Sequence, residues 1–172
     1  MSTTTIEAQL ADARRRIGRL HAAAGASPRI RRHLDALQQE EASVRAAALL
    51  SPDEVEAKLG QLRTRLDVAE HSLAADVSGD WATFAAAVEA ELESWDAYLE
   101  RLQTSVATKA WKTRAGAEAA IGEVRSRRIV VDERLAQAGD RVGQGWHEQR
   151  ERVGAVRDAL EQNADELSAK LK

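Results

Sequence analysis

Residues 81 to 106, WATFAAAVEAELESWDAYLERLQTSV, constrain this chain more than any other stretch. One apolar position recurs every seven residues as Trp81, Val88, Trp95 and Leu102, and a second as Ala85, Leu92, Leu99 and Val106. A 4-3-4-3 alternation places all eight on one stripe of an α-helix, the seam of a coiled coil or narrow bundle. Glu89, Glu93, Asp96, Glu100 and Gln103 fall on the opposite face, which suits water. A stripe of this kind is stable only when other helices cover it.

Composition supports helices and little else. Charged residues make up 31% of the 172 positions and aromatics only 3%, and much of the 44% hydrophobic fraction is alanine. Such a mix with heptad spacing reads as long helices, and it lacks the large side chains of a typical enzyme core. With two prolines and ten glycines there are few helix breaks, and almost no run alternates with the period of a strand. The absence of cysteine excludes disulfides and thiolate metal sites. The first sixteen residues hold no apolar signal core, and no window approaches eighteen apolar residues, so no membrane span is expected. The net charge of -3 is too small to imply a partner.

Local signals divide the chain. Thr4 with Glu7 fits a capping box, which would start a first helix along Ile6, Leu10, Ala13, Ile17 and Leu20, stopped near Gly25. Ser27-Pro28 starts a second helix along Ile30, Leu34, Leu37 and Val44, with Glu41 interrupting its stripe. Ser51-Pro52-Asp53-Glu54 is the clearest start, with a serine cap, a proline in the first turn and acids where the helix dipole favours them. Val55, Leu59, Leu62, Leu66, Ala69 and Leu73 follow, and Ser78-Gly79-Asp80 closes the unit. Beyond Val106 the apolar phase does not continue through Ile121, Val124, Val131, Leu135 and Val142. The shift within 107–117 is either a turn or a stutter in one continuous helix. Ala138-Gly139-Asp140 is a further turn, before a last helix carrying Trp146, Val153, Val156, Leu160 and Leu167. The predicted fold is all-α: an elongated antiparallel helical bundle or coiled coil of five or six helices. Three fall in 1–77 and the long Trp-bearing helices in 78–172, two three-helix units packed as one body. IEAQLADARRRIGRL at 6–20 aligns with VEAELESWDAYLERL at 88–102, an echo that either a duplication or heptad coincidence would produce.

VEAELESWDAYLERL, IGEVRSRRIVVDERLAQAGD and GWHEQRERVGAVRDAL together resemble bacterial apolipoprotein-like coiled-coil proteins. The same half resembles a spectrin-type three-helix repeat, with Trp95 in a first helix and Trp146 in a third. Both resemblances imply a helical array used for binding or spacing, and neither carries a catalytic residue over.

Catalytic patterns are missing. No phosphate-binding glycine loop, nucleophile elbow or H-E-x-x-H helix is present, and Gly143-Gln144-Gly145 lacks the strand a nucleotide loop needs. A di-metal bundle needs Glu-x-x-His pairs, and none of His21, His33, His71 and His147 has a glutamate three residues before it. Asp67 with His71 and His147 with Glu151 read as surface pairs. No catalytic residue, metal or cofactor is therefore expected. Trp81 and Trp95 belong to the seam, whereas Trp111, among Lys109, Lys112 and Arg114, is a candidate partner contact.

One region stands apart. Arg14, Arg15, Arg16, Arg19, Arg29, Arg31 and Arg32 occur with no acidic residue between Arg14 and His33. The last three lie at a helix start, where positive charge is unfavourable. The cluster is therefore either a solvated tip or a seat for an anionic group, and replacing Arg29, Arg31 and Arg32 by glutamine is expected to relieve repulsion. Without interleaved aromatics it does not point to nucleic acid. The functional expectation is a cytoplasmic, non-enzymatic scaffold or protein-interaction module whose partner is another protein or a second copy of itself. The alternative is a peripheral binder of an anionic lipid surface, held by the arginine-rich turn and amphipathic helices.

Overall fold

The computed structural model describes residues 3–48, 51–107 and 111–171. Six helices follow one another: α1 (Thr3–Ala23), α2 (Pro28–Ala47), α3 (Pro52–Asp76), α4 (Trp81–Ala107), α5 (Trp111–Gly139) and α6 (Trp146–Lys170). Short 3-10 turns at Ala24–Ala26 and Val142–Gln144 precede α2 and α6. Among the described residues there is no strand, and the fold is an all-α bundle.

The caps show how local chemistry sets these bounds. Ser51 accepts the Glu54 N–H at 3.2 Å, as the sequence at the α3 start predicts. Asp80 caps α4, accepting the Thr83 N–H at 2.9 Å and the Thr83 hydroxyl. Two expectations fail. α1 already includes Thr3 and Thr4, so the Thr4–Glu7 box lies inside the helix and does not begin it. Ser27 has cap dihedrals before Pro28, yet its hydroxyl donates to the Asp76 carboxylate instead of accepting from α2. The phase shift beyond Val106 separates two helices: Arg125 donates to Gln103 and Arg128 pairs with Asp96, so α5 runs back along α4. Residues 108–110 lie outside the described residues.

Packing follows the stripes. Val88, Leu92, Trp95, Leu99, Leu102 and Val106 are buried, while Glu89, Glu93, Asp96, Glu100 and Gln103 are exposed. Trp81 is only half-buried, tilted against buried Phe84 with ring centroids 5.6 Å apart. One apolar cluster joins α1, α2 and α3 through Leu10, Leu20, Leu37, Leu59 and Leu66. The other joins α4, α5 and α6 and takes only Val68 and Ala75 from α3. The two clusters follow the halves 1–77 and 78–172, but α3 and α4 pack closely along their length across that boundary. Arg101 of α4 lies over Gly60, where an added Cβ would sit 2.6 Å from its Nη1. Arg150 of α6 donates to the carbonyls of Asp76 and Ser78 (3.0 Å for the latter), clasping the exit of α3. Its guanidinium also lies 5.7 Å from the Phe84 ring and 5.5 Å from that of Trp146.

Candidate functional site

The interior is not wholly apolar. Where α2, α3, α4 and α6 meet, the buried residues include His33, Arg65, Glu91, Arg157 and Glu161, each 1% exposed, and Arg29 at 9%. Helical periodicity puts them there. His33 stands between Ile30 and Leu37, Arg65 between Leu62 and Ala69, Glu91 between Val88 and Trp95, and Arg157 between Val153 and Leu160. Each polar residue has apolar neighbours three or four positions away on both sides, so the stripe carries it inward. The apolar stripes traced in the sequence leave out Arg65, Glu91, Arg157 and Glu161, while His33 was weighed there only as a metal ligand and Arg29 only as part of the arginine-rich run. A charge bracketed in this way was the available signal.

Arg157 is the best-held member. Its Nε and Nη2 donate to one Glu91 oxygen at 2.9 and 2.6 Å, its Nη1 to Asp76 at 3.1 Å, and Nη2 also to the Ser72 hydroxyl at 3.1 Å. Arg65 reaches Asp165 at 3.4 Å and lies 4.4 Å from the centre of the Trp95 ring, a cation–π contact that offsets part of its lost hydration. Arg29 pairs with Asp158 at 3.1 Å and stands 3.6 Å from both Asp76 and Glu161. His33 Nε2 lies 3.2 Å from Glu161 Oε1. At the edge of the layer the Tyr98 hydroxyl donates to Glu40 at 2.7 Å.

The layer is incompletely bonded. Arg29 Nε and Nη1, Arg65 Nε and Nη1, His33 Nδ1 and Nε2, Glu91 Oε1 and both Glu161 oxygens are buried without a hydrogen bond among the described residues. Burial therefore governs protonation. It pushes the Glu161 carboxyl up to about 7, against the opposing pull of Arg29 and Arg157. It pushes His33 down to about 3, helped by the Arg65 charge, so the imidazole is neutral. Asp165 is raised by burial as well. For Asp76 burial acts upward too, but Arg157 and Arg29 outweigh it and hold the carboxyl below its ordinary range. A cleft of about 330 Å³ lined by Arg29, Asp76, Phe84, His147, Arg150 and Arg157 opens onto one end of the layer. The layer thus holds buried charges of both signs beside that cleft.

The seven arginines singled out from the sequence do not form one patch. Arg14 pairs with Glu41 at 2.7 Å, and burial of Glu41 is outweighed by Arg14 and Arg45, which hold its carboxyl low. Arg15 meets Asp12 at 3.0 Å. Arg16 donates to Glu70 at 2.9 and 2.8 Å and also reaches Asp67, and Arg19 lies 3.9 Å from Glu70. Arg29 belongs to the buried layer, and Arg32 reaches Asp158 at 3.3 Å. Only Arg31 has no carboxylate within ion-pair distance among the described residues. The local run without acids is thus answered by Asp12 earlier in α1 and by acids from α2, α3 and α6. The Trp111 side chain lies outside the described residues.

The histidine pairs separate likewise. Asp67 serves Arg16, His71 Nδ1 stands 2.9 Å from the Ser94 hydroxyl, and His147 stacks beside Trp146 at 4.3 Å. Among the described residues no group of three histidine or acidic side chains is placed around a common metal position, and no helix is long and apolar enough to cross a membrane. No family of known proteins, no curated protein and no solved structure matches the chain.

Proposed function

We propose that the chain is a non-enzymatic helical binding module that docks a helical surface of a protein partner along the outer face of α5. The observation that carries this reading is the pair Ile129 and Val130, 53% and 39% exposed in the middle of that helix. Large aliphatic side chains adjacent in mid-helix are what a partner helix would cover. On the same helix Ala115, Gly116, Ala119 and Gly122 are also exposed, and small residues permit close backbone approach. Exposed α1 offers a contrast, carrying Arg14, Arg15 and Arg19 outward.

The test is the double variant Ile129→Glu/Val130→Glu. Partners captured from the native cell by the wild type should be lost by the variant while its helical circular dichroism is unchanged. Sedimentation velocity of the purified proteins would show whether a second copy is that partner. Equal capture by both proteins would reject α5 as the docking face. The alternative, binding to an anionic lipid surface, draws on Arg31 with the exposed Arg15 and Arg19. Unchanged sedimentation with anionic vesicles at low salt would remove it.

A further inference from the structure

α6 has two unlike faces. Val153, Leu160, Ala164 and Leu167 join the apolar cluster shared with α4 and α5. Arg157, Asp158, Glu161 and Asp165 point to α2, α3 and α4 and meet them through ion pairs. The backbones of α2 and α6 approach each other little, and long side chains fill the distance. Carboxyls outnumber guanidiniums there: Asp76, Glu91, Asp158, Glu161 and Asp165 face Arg29, Arg65 and Arg157, with Arg32 at the rim. Of these acids, Glu161 is the one buried with neither oxygen hydrogen-bonded.

We propose that this layer is a proton-controlled latch, in which α6 is held against α2 and α3 while one proton resides on the Glu161–His33 pair and is released when that proton leaves. In the latched state the Glu161 carboxylic acid donates to His33 Nε2 across the 3.2 Å between them. The proton thereby gives a hydrogen bond to two buried groups that otherwise have none and removes the surplus negative charge. When it departs to water, by way of the cleft beside Arg29 and Arg157, a bare carboxylate stays behind at 1% exposure. That state is costly to bury and is relieved when α6 separates and Glu161 hydrates.

The groups facing Glu161 fit this account from every side. α2 contributes Arg29 and His33, α3 contributes Arg65 and Asp76, α4 contributes Glu91, and α6 itself contributes Arg157, Asp158 and Asp165. Among the described residues the buried side chains of α5 are all apolar. The arginines oppose the uptake of the proton, but burial outweighs them, and the carboxyl titrates near neutrality. The sign follows. A carboxyl raised in the docked state binds a proton that the open state gives up, so docking weakens as pH rises toward 7. The α3–α4 pair, closed chiefly by apolar stripes, does not draw on the Glu161 proton.

The decisive experiment is amide hydrogen exchange on the full chain between about pH 5.5 and pH 8, corrected for intrinsic exchange rates. Protection of α6 should fall roughly tenfold between about pH 5.5 and pH 7, while that of central α3 and α4 holds. Glu161→Gln, a neutral isostere, should flatten the α6 profile near its acid value. Identical profiles for α6 and α3, or an unchanged α6 slope in Glu161→Gln, would overturn the proposal. A second readout needs no variant: the Glu161 carboxyl carbon, followed by nuclear magnetic resonance in the wild type, should titrate well above the ordinary carboxylate range. An ordinary midpoint would overturn the proposal equally.

Discussion

The seam between α3 and α4 and the seam between α6 and its neighbours join helices of similar length in opposite ways. Across the first, Val68 and Ala75 share an apolar cluster with Val88, Leu92 and Leu99, and the contact gains mainly by removing apolar area from water, with Arg65 over Trp95 and His71 beside Ser94 as polar additions. Across the second, Arg157 meets Glu91 and Asp76 through directional hydrogen bonds, and Arg29 stands in looser ion pairs with Asp76 and Glu161. A buried ionic seam gains little over an apolar one, because desolvation cancels most of the attraction. What it can supply is a unique alignment of α6. An apolar stripe rich in alanine could slide by a turn, whereas Arg157 reaches Glu91, Asp76 and Ser72 together in only one register.

Breaking one partner on the ionic seam should have the largest effect. Arg157→Ala leaves Glu91 buried and unpaired and takes from Asp76 one of its two arginines, and should lower unfolding free energy in urea by about 3–5 kcal/mol. Adding Glu91→Leu to Arg157→Met should recover much of the loss, which no pair of substitutions at Val88 and Leu92 would do. Next comes the apolar seam itself. Leu92→Ala, at a position 2% exposed, should cost about 3 kcal/mol, and Glu93→Ala on the outer face should be nearly silent. Equal effects of these two changes would show the stripe to be misplaced.

A smaller effect separates the seams by pH. Glu161 titrates at about 7 in the fold against an ordinary 4.5, so its stabilisation is full below about 4.5 and lost as pH rises through 7. Asp76 and Glu41 are held low by their arginines, so theirs is present above the ordinary carboxylate range and lost as pH falls through their folded values. Unfolding free energies from urea titrations should therefore peak near about pH 5 and decline by on the order of 2 kcal/mol toward pH 8. A flat profile above about pH 5 would deny the ionic seam its proton. The smallest contrast lies within the arginine-rich run. Arg29→Gln should destabilise, because Arg29 faces Asp76, Asp158 and Glu161, whereas Arg31→Gln should be near neutral.

That contrast marks the limit of what local sequence carries. The eight-position stripe of α4 was legible because periodicity alone places it, and the Ser51 cap because its partner lies three residues away. Arg29, which the sequence leaves as either part of a solvated tip or a seat for an anionic group, is instead buried, because its carboxylates stand in α3 and α6, far along the chain. Glu91 and Arg157 were missed for a related reason. Period shows which way a side chain points, but which helix stands opposite is a property of the tertiary fold. The phase shift beyond Val106 was visible as a discontinuity, and only the return of α5 along α4 resolves it as two helices.

The clasp of Arg150 on the end of α3 also bears on the order of folding. It spans more than seventy residues, as do the bonds of Arg157 to Ser72 and Asp76, whereas α3 with α4 and α5 with α6 are sequence neighbours. Contacts distant in sequence close late, after the hairpins have shortened the loops they must bridge. Bonds absent at the folding barrier act on the rate of escape from the native state. Arg150 and Arg157 therefore set how long the bundle lasts once formed, and have little influence on how fast it forms.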